Sequence, residues 1–402
     1  MNVTKDKSKH RQPQKESHLQ KVFAEQKEYA EACACQRIAE NTNIITDLQS
    51  TGLLEKILHR DNLNRAYKKV KSNKCSGGVD GMCVDELLTY LRKHGRKLNQ
   101  QIMEGKYQLN PVRRVEIPKE EKGKYRRFGI PTVVDRVYQQ AITQVLTPIF
   151  EKQFSESSYG FRPKRSQHDA LKQCLKNTNE GYVYVVDMDL EKFFDTVCQS
   201  KLIEVLSRTI KDGRVIALIH KYLNAGVVEK GLFEKAEVGV PEGGPLSPLL
   251  SNIMLNELDK ELESRGHRFV RYADDCMIFC KSKKSAERTL RSLIPFIEGK
   301  LFLKVNREKT KVAHVSKVKY LGYSFYKYRE FRFRVHPKSI DKMKRKLRSF
   351  NLPEWVVFEI ANCRKGIWRP AVVLNRVLTN KRIASLGYLS LTDYYLQVCE
   401  NY

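Results

Sequence analysis

A pair of adjacent aspartates between two apolar runs is the feature that most restricts how this chain can fold. Residues 269–279 read Phe269-Val-Arg-Tyr-Ala-Asp-Asp-Cys-Met-Ile-Phe279, with Asp274 and Asp275 at the centre. Two β-prone segments around a short polar stretch predict a hairpin whose tight turn presents both aspartates. Neighbouring like charges repel each other and resist removal from water, so a plain turn has little reason to hold them unless cations bind there. The sequence therefore indicates a cation site at the tip of a hairpin.

A second group of carboxylates follows another β-prone run. The run that begins at Tyr182 ends in Asp187 and Asp189. This pattern predicts a buried strand with acidic side chains at its C-terminal end. For a single aspartate, the plain alternative is an ordinary solvated strand end. Two such clusters can jointly hold two Mg²⁺ ions about 3.5–4 Å apart, the arrangement that activates a 3′-hydroxyl and stabilises a leaving pyrophosphate. Magnesium suits hard carboxylate oxygens. The predicted reaction is nucleotidyl transfer.

The charge of the chain points to a polyanionic partner. Lysine and arginine number 74 against 46 acidic residues, which gives a formal net charge of +28, more than solubility requires. No apolar run approaches the roughly 20 residues of a membrane span, so nucleic acid is favoured over a membrane. The ten cysteines form neither a zinc-type pattern nor a disulfide framework, which favours a reducing, cytoplasmic location.

Several sequence blocks resemble those of reverse transcriptases. The stretch Tyr272-Ala-Asp-Asp275 resembles the YxDD box, and Asp189-Leu-Glu-Lys-Phe-Phe-Asp195 resembles the first catalytic motif of that family. The box alone is a weak signal, and its weight comes from further family blocks in the right order. These blocks are Arg113-Arg-Val-Glu-Ile-Pro-Lys119, Arg127-Phe-Gly-Ile-Pro131, Asp135-Arg136, Ser158-Tyr-Gly-Phe-Arg-Pro163, Gly239-Val-Pro-Glu-Gly-Gly-Pro-Leu-Ser-Pro248, Leu303-Lys-Val-Asn306, Lys309-Thr310 and Tyr320-Leu-Gly-Tyr-Ser324.

The resemblance assigns roles to the carboxylates. It makes Asp189, Asp274 and Asp275 the catalytic ligands of two Mg²⁺ ions, with Asp187 as the nearest alternative to Asp189. Asp189 is preferred because an aromatic residue, Phe194, then follows five residues later, where the family keeps its steric gate. A ring under the sugar leaves no room for a 2′-hydroxyl, and deoxynucleotides are selected by exclusion. The alternative for Phe194 is an ordinary core position.

The resemblance also implies a nucleotide-binding group. Lys119 and Arg126 lie in a finger-like hairpin expected over residues 117–130, where the family grips the incoming triphosphate. Solvated loop residues are the plain alternative. Glu242 precedes two glycines at a position where the family usually has glutamine. A carboxylate there changes the charge and removes a hydrogen-bond donor beside the nucleotide.

The C-terminal part resembles the thumb and maturase region of group II intron proteins, which binds intron RNA. It mixes basic and aromatic side chains, as RNA-facing surfaces do. The residues implied in RNA binding are Arg364, Lys365, Trp368, Arg369, Lys381 and Arg382. Several helices that the family carries between about Phe350 and Pro353 are missing, which implies an internally truncated thumb, and no Cys/His endonuclease-type segment follows. A basic C-terminal domain with Trp368 in its core is the alternative.

Together these observations predict an α+β fold. The expectation is a right-hand polymerase with fingers and palm around an antiparallel palm sheet, plus a short helical thumb. The expected domains are a polar extension over residues 1–52, fingers and palm over 53–335 and the truncated thumb over 336–402. Within the palm, Ser247-Pro248 predicts the start of an amphipathic helix.

The leading functional hypothesis is a group II intron-type RNA-directed DNA polymerase that makes cDNA. Its implied partners are an RNA template, a DNA primer, deoxynucleoside triphosphates and the intron RNA, without a membrane. A noncatalytic or weakly active RNA-binding maturase remnant is the main rival. A reverse transcriptase recruited to host defence is a third possibility.

Overall fold

A computed structural model describes residues 52–348, except 74, 75, 119–122, 124, 230 and 237. Lys119 and the six predicted RNA-binding residues therefore lie outside the described residues, as do all but the last residue of the predicted N-terminal extension. The described residues fall into two compact units, one ending at His314 and the other beginning at Val315. The domain limits expected from the sequence stay a prediction.

The first unit combines helices with two sheets. Its helices are α1 (Leu53–Leu58), α2 (Arg60–Ser72), α3 (Leu87–Met103), α4 (Val133–Glu151), α5 (Gln167–Asn179), α6 (Phe193–Thr196), α7 (Gln199–Thr209), α8 (Gly213–Leu223), α9 (Ser247–Ser264) and α10 (Lys283–Gly299). Side-chain caps fix several helix starts; Thr132 accepts from the Asp135 amide at the start of α4, for example. Pro248 lies in the first turn of α9, where its fixed φ favours a helix.

A fully antiparallel sheet forms the centre of the first unit. Its strands are β3 (Tyr184–Met188), β6 (Arg268–Tyr272), β7 (Asp275–Cys280) and β8 (Lys311–His314), in the order β6-β7-β3-β8. We call it the central sheet. Helix α10 packs on β3, β7 and β8, and α5 packs on β6. Val185, Val186, Met277 and Ile278 are all buried, as expected for strands covered by helices. The α+β class and its antiparallel sheet are confirmed.

A second sheet carries the predicted hairpin at residues 117–130. Its strands are β1 (Val112–Pro118), β2 (Tyr125–Ile130), β4 (Val227–Glu229) and β5 (Leu232–Glu234), in the order β2-β1-β4-β5. Strands β1 and β2 pair antiparallel from Arg113 opposite Ile130 to Pro118 opposite Tyr125, which confirms the hairpin. Strand β4 joins β1 in parallel.

The second unit contains a small antiparallel sheet and a basic helix. Its strands are β9 (Lys319–Tyr320), β10 (Tyr323–Lys327) and β11 (Phe331–Val335), and its helix is α11 (Pro337–Arg348). No helix in the described part of the chain is both long and apolar enough to span a bilayer.

Candidate active site

The paired aspartates lie at the tip of the hairpin formed by β6 and β7. Tyr272 pairs with Asp275, so Ala273 and Asp274 alone make the turn. Ala273 has φ 56°, a left-handed conformation that two-residue hairpin turns require and that alanine rarely adopts. Asp274 is therefore in the turn and Asp275 begins β7. The hairpin with adjacent aspartates predicted from the sequence is confirmed.

The pairing of β3 with β7 brings Asp187 and Asp189 to the same end of the central sheet as the hairpin tip. Asp187 pairs with Met277 and Met188 with Cys276. One further step along this antiparallel register puts Asp189 opposite Asp275, just beyond the end of β3. The backbone N–H of Asp189 donates to Thr310 Oγ1 at 3.1 Å, and its carbonyl accepts from the Asn306 amide at 2.9 Å. These bonds fix the backbone that carries Asp189.

The four carboxylates interact electrostatically. Burial raises the pKa of Asp275 to about 7, with further increases from Asp274, Asp187 and Asp189, and Arg126 opposes the rise. The Asp275 side chain keeps an exposed surface, but neighbouring protein atoms and three like charges still make its ionised form unfavourable. A site with this charge distribution favours cations.

Asp187 and Asp189 differ in their position along β3. Burial raises the pKa of Asp187, whereas Lys311, directly across the strand pair with its Nζ 3.6 Å from Asp187 Oδ2, lowers it. Asp189 lies beyond the strand end, and Lys309 Nζ is 3.9 Å from its Oδ2. Asp187 is therefore two residues deeper along the sheet than the hairpin tip, with a lysine as its cross-strand neighbour. This position favours Asp189 as the ligand, which stays a prediction.

The donor set fits hard divalent cations. Carboxylate oxygens are the ligands that Mg²⁺ prefers, and bound cations offset the repulsion among the aspartates. In the described part of the chain, no three His, Cys, Asp or Glu side chains are arranged closely enough to hold one ion together. The fit to Mg²⁺ therefore rests on the carboxylate ligands themselves and not on a preformed coordination geometry among the described residues.

Phe194 lies in a one-turn helix after the Asp189 segment. Lys192 has φ 45°, and α6 follows. Phe193 is buried in the core, whereas Phe194 is only partly buried and its ring stacks edge-on against Phe193 at a centroid distance of 5.3 Å. The Phe194 carbonyl accepts from the Val240 amide at 2.7 Å. The 239–246 loop is thus bonded to the backbone of the proposed gate.

Arg126 and Glu242, both predicted at the nucleotide site, lie together. Arg126 Nε is 3.3 Å from Glu242 Oε1, and both groups remain partly accessible. The Gly129 amide donates to the Glu242 carbonyl at 2.6 Å, which joins β2 to the 239–246 loop. Arg126 also lowers the pKa of Asp275, so it acts electrostatically on the carboxylate cluster. Their binding roles stay predictions.

One charged pair at this site was missed by the sequence reasoning. Arg271 precedes the hairpin tip and is completely buried, as is its partner Asp259 on α9. The available signal was an arginine inside an otherwise apolar strand. Such a residue needs a partner when its flanking residues are buried.

The sequence matches a family model and is similar to known proteins. Residues 117–325 match the family model described as Reverse transcriptase (RNA-dependent DNA polymerase). Protein YkfC of Escherichia coli (strain K12) is 36% identical over 277 residues, covering 60% of this chain and 72% of that protein. Group II intron-encoded protein LtrA of Lactococcus lactis subsp. cremoris is 31% identical over 353 residues.

The coverage of these relatives is partial. The LtrA match takes in 72% of this chain, and the chain spans 59% of the length of LtrA. Among solved structures, apo telomerase from Candida tropicalis superimposes with a TM-score of 0.46 and 14% identity, covering 67% of this chain and 58% of that one.

Proposed function

The chain belongs to the reverse transcriptase family, in the group of group II intron-encoded reverse transcriptases and maturases, and from this premise we propose that it copies RNA into DNA. The observation that carries the proposal is the convergence of Asp189 with Asp274 and Asp275 at one edge of the central sheet. An RNA template, a DNA primer and deoxynucleoside triphosphates are the proposed substrates.

The described residues of the proposed site have different roles in nucleotidyl transfer. Asp189, Asp274 and Asp275 would hold two Mg²⁺, which when bound supply activation of the 3′-hydroxyl and charge stabilisation at the leaving pyrophosphate. The Arg126 guanidinium binds triphosphate oxygens. The ring of Phe194 limits the space under the sugar. Each residue thus acts on a different part of the incoming nucleotide.

Primer extension on an RNA template tests the proposal. Purified protein with Mg²⁺ and deoxynucleotides should extend an annealed DNA primer, and chelation of the metal should stop the extension. RNA binding without any extension would contradict the proposal and favour the noncatalytic RNA-binding maturase.

Intron RNA is a proposed further partner. Relatives are described as intron-encoded proteins and as a nuclear intron maturase. The formal charge of +28 supports binding to a polyanion. A reducing, cytosol-like compartment is proposed because the ten cysteines form neither a zinc-type pattern nor a disulfide framework in the sequence.

Phe194→Ala should relax sugar selection. Replacing a ring by a methyl group opens the space that excludes a 2′-hydroxyl, so we expect the ratio of ribonucleotide to deoxynucleotide incorporation to rise about tenfold or more, a gain of about 1.4 kcal/mol. Single-nucleotide incorporation kinetics measure this ratio. Phe194→Tyr keeps the ring and should keep the ratio low. An unchanged ratio for Phe194→Ala would assign the gate to another residue.

Glu242→Gln should strengthen nucleotide binding. The carboxylate of Glu242 competes with triphosphate oxygens for Arg126, and a partly exposed ion pair of this kind contributes up to about 1 kcal/mol. The KM for deoxynucleotides should fall about fivefold, with kcat nearly unchanged.

An ion pair within the β1–β2 hairpin supplies the control for Glu242→Gln. Arg127 Nε is 3.5 Å from Glu116 Oε1, and both side chains are partly accessible. Glu116→Gln should leave the KM for nucleotides unchanged. A higher KM for Glu242→Gln would mean that Glu242 orients Arg126 for binding rather than competing for it.

A further inference from the structure

Arg271 is completely buried although it carries a permanent charge. Its ion-pair partner Asp259, on α9, is equally inaccessible. Arg271 Nε donates to Asp259 Oδ1 at 2.7 Å, and Nη2 donates to Asp259 Oδ2 at 2.5 Å. A bidentate pair of this kind is rigid as well as strong.

The remaining N–H groups of Arg271 reach three other acceptors. Nη1 donates to the carbonyl of Ala273 at 2.9 Å and to Asn252 Oδ1 at 3.0 Å, and Nη2 also donates to Ser158 Oγ at 2.8 Å. A guanidinium has five N–H groups in a fixed plane. Arg271 therefore joins the turn that holds Asp274 to α9 and to the loop containing Ser158.

The backbone of the same loop reinforces this connection. The Arg271 amide donates to the Ser157 carbonyl at 2.9 Å, and the Tyr159 amide donates to the Arg271 carbonyl at 2.8 Å. Asn252 Nδ2 donates to the Gly160 carbonyl at 2.8 Å. The 157–160 segment thus runs alongside the last residues of β6, where a strand neighbour is otherwise missing from the central sheet order.

The bond to Ala273 acts on a residue whose backbone conformation is unfavourable. Ala273 is left-handed, and such residues persist only where their surroundings fix them. Asp274 follows directly. A rotation at Ala273 would redirect the carboxylates of both Asp274 and Asp275.

We propose that Arg271 is a positioning residue for nucleotidyl transfer: its hydrogen bond to the Ala273 carbonyl fixes the turn that aims Asp274 and Asp275. Arg271 does not itself touch the substrate. This inference rests on the proposed function. The competing explanation is that the buried pair of Arg271 and Asp259 only stabilises the folded core.

Arg271→Lys separates these two explanations. Lysine keeps the positive charge beside Asp259, but a single ammonium group cannot reproduce the planar fork that reaches Asp259, Asn252, Ser158 and Ala273 together. The control is Arg214→Lys, which alters an arginine, remote in sequence from the hairpin tip, that likewise forms a bidentate pair with a carboxylate, Glu55.

Metal binding without substrate is the first readout. The free Mn²⁺ signal in electron paramagnetic resonance, measured well below the unfolding midpoint of each variant, gives the affinity of the site. We expect Arg271→Lys to weaken Mn²⁺ binding about tenfold or more, as is typical when groups that orient metal ligands are altered. Arg214→Lys should bind Mn²⁺ as the parent does.

Primer extension is the second readout. The Mg²⁺ concentration for half-maximal rate should rise by a similar factor in Arg271→Lys, with the KM for primer and template unchanged. If Arg271→Lys does not fold, Ser158→Ala replaces it. This variant removes one acceptor of the same guanidinium, and the expected rise is in the same direction but smaller than for Arg271→Lys.

The outcomes separate the inference from the proposed function. Unchanged Mn²⁺ affinity and Mg²⁺ dependence in Arg271→Lys, with only a lower unfolding midpoint, would overturn the positioning role while polymerase activity of the parent stands. If the parent protein binds Mn²⁺ at Asp274 but extends no primer, the proposed function is wrong. The comparison of Mn²⁺ affinities would still decide the role of Arg271.

Discussion

Replacing Asp274 by asparagine should abolish most primer extension without weakening the fold. Loss of a carboxylate ligand removes several kcal/mol of charge stabilisation from the metal-assisted transition state, so we expect the rate to fall about 10³-fold, the equivalent of about 4 kcal/mol. The repulsion that Asp274 exerts on Asp275 disappears at the same time. In Mg²⁺-free buffer at a pH above the Asp275 pKa of about 7, the unfolding midpoint should therefore stay the same or rise.

Two measurements check the Asp274→Asn prediction. Single-turnover extension gives the rate, and thermal unfolding followed by circular dichroism gives the midpoint. Asp61→Asn removes an exposed carboxylate from the first turn of α2, remote in sequence from the site. It should leave the extension rate unchanged and lower the midpoint slightly, because a negative charge stabilises a helix N-terminus. Extension by Asp274→Asn at the parental rate would show that Asp274 is not a metal ligand.

Gly160→Ala should damage both stability and activity. A Cβ at this position would overlap the backbone nitrogen of Ala273 and lie 2.9 Å from the carbonyl carbon of Tyr272. Neither neighbour is a flexible side-chain end, so the loop or the aspartate turn must move. Such overpacking costs about 1–3 kcal/mol of unfolding free energy, and displacement of a catalytic group by about 1 Å can cost about 10²-fold in rate.

Gly95→Ala is the matched control for Gly160→Ala. Gly95 lies inside α3, and no atom is within 4 Å of a Cβ built there. Alanine should raise the free energy of unfolding by about 0.5–1 kcal/mol at a helix interior, with activity unchanged. Denaturant unfolding and primer extension measure both effects. Parental stability and activity in Gly160→Ala would mean that the loop and the turn are not in rigid contact.

Local patterns predicted the elements that carry the site. The two apolar runs on either side of the paired aspartates predicted the β6–β7 hairpin, and Ser247-Pro248 predicted the start of α9. The hairpin at residues 117–130 was expected from the family resemblance of a short segment. In each case the information lies within a few consecutive residues, because turn chemistry and hydrophobic periodicity are local properties.

The contacts between distant segments could not be predicted in this way. The ion pair of Arg126 with Glu242 depends on the approach of β2 to the 239–246 loop, and the pair of Arg271 with Asp259 depends on how α9 packs near β6. An arginine in a strand pattern counts as a solvent-facing residue unless its partner is known. Tertiary packing, which supplies the partner, decided the burial of Arg271.

The position of β3 in the central sheet also has a consequence for synthesis of the chain. Both of its neighbours, β7 and β8, come later in the sequence, and β8 ends only at His314. Pairing between segments so far apart is slow, because the intervening chain must first be ordered. During synthesis on the ribosome, both edges of β3 stay unpaired until β7 and β8 have been made, which is most of the chain. A strand with unpaired edges is prone to aggregation. Translation products that stop short of residue 311 would keep one edge of β3 permanently open.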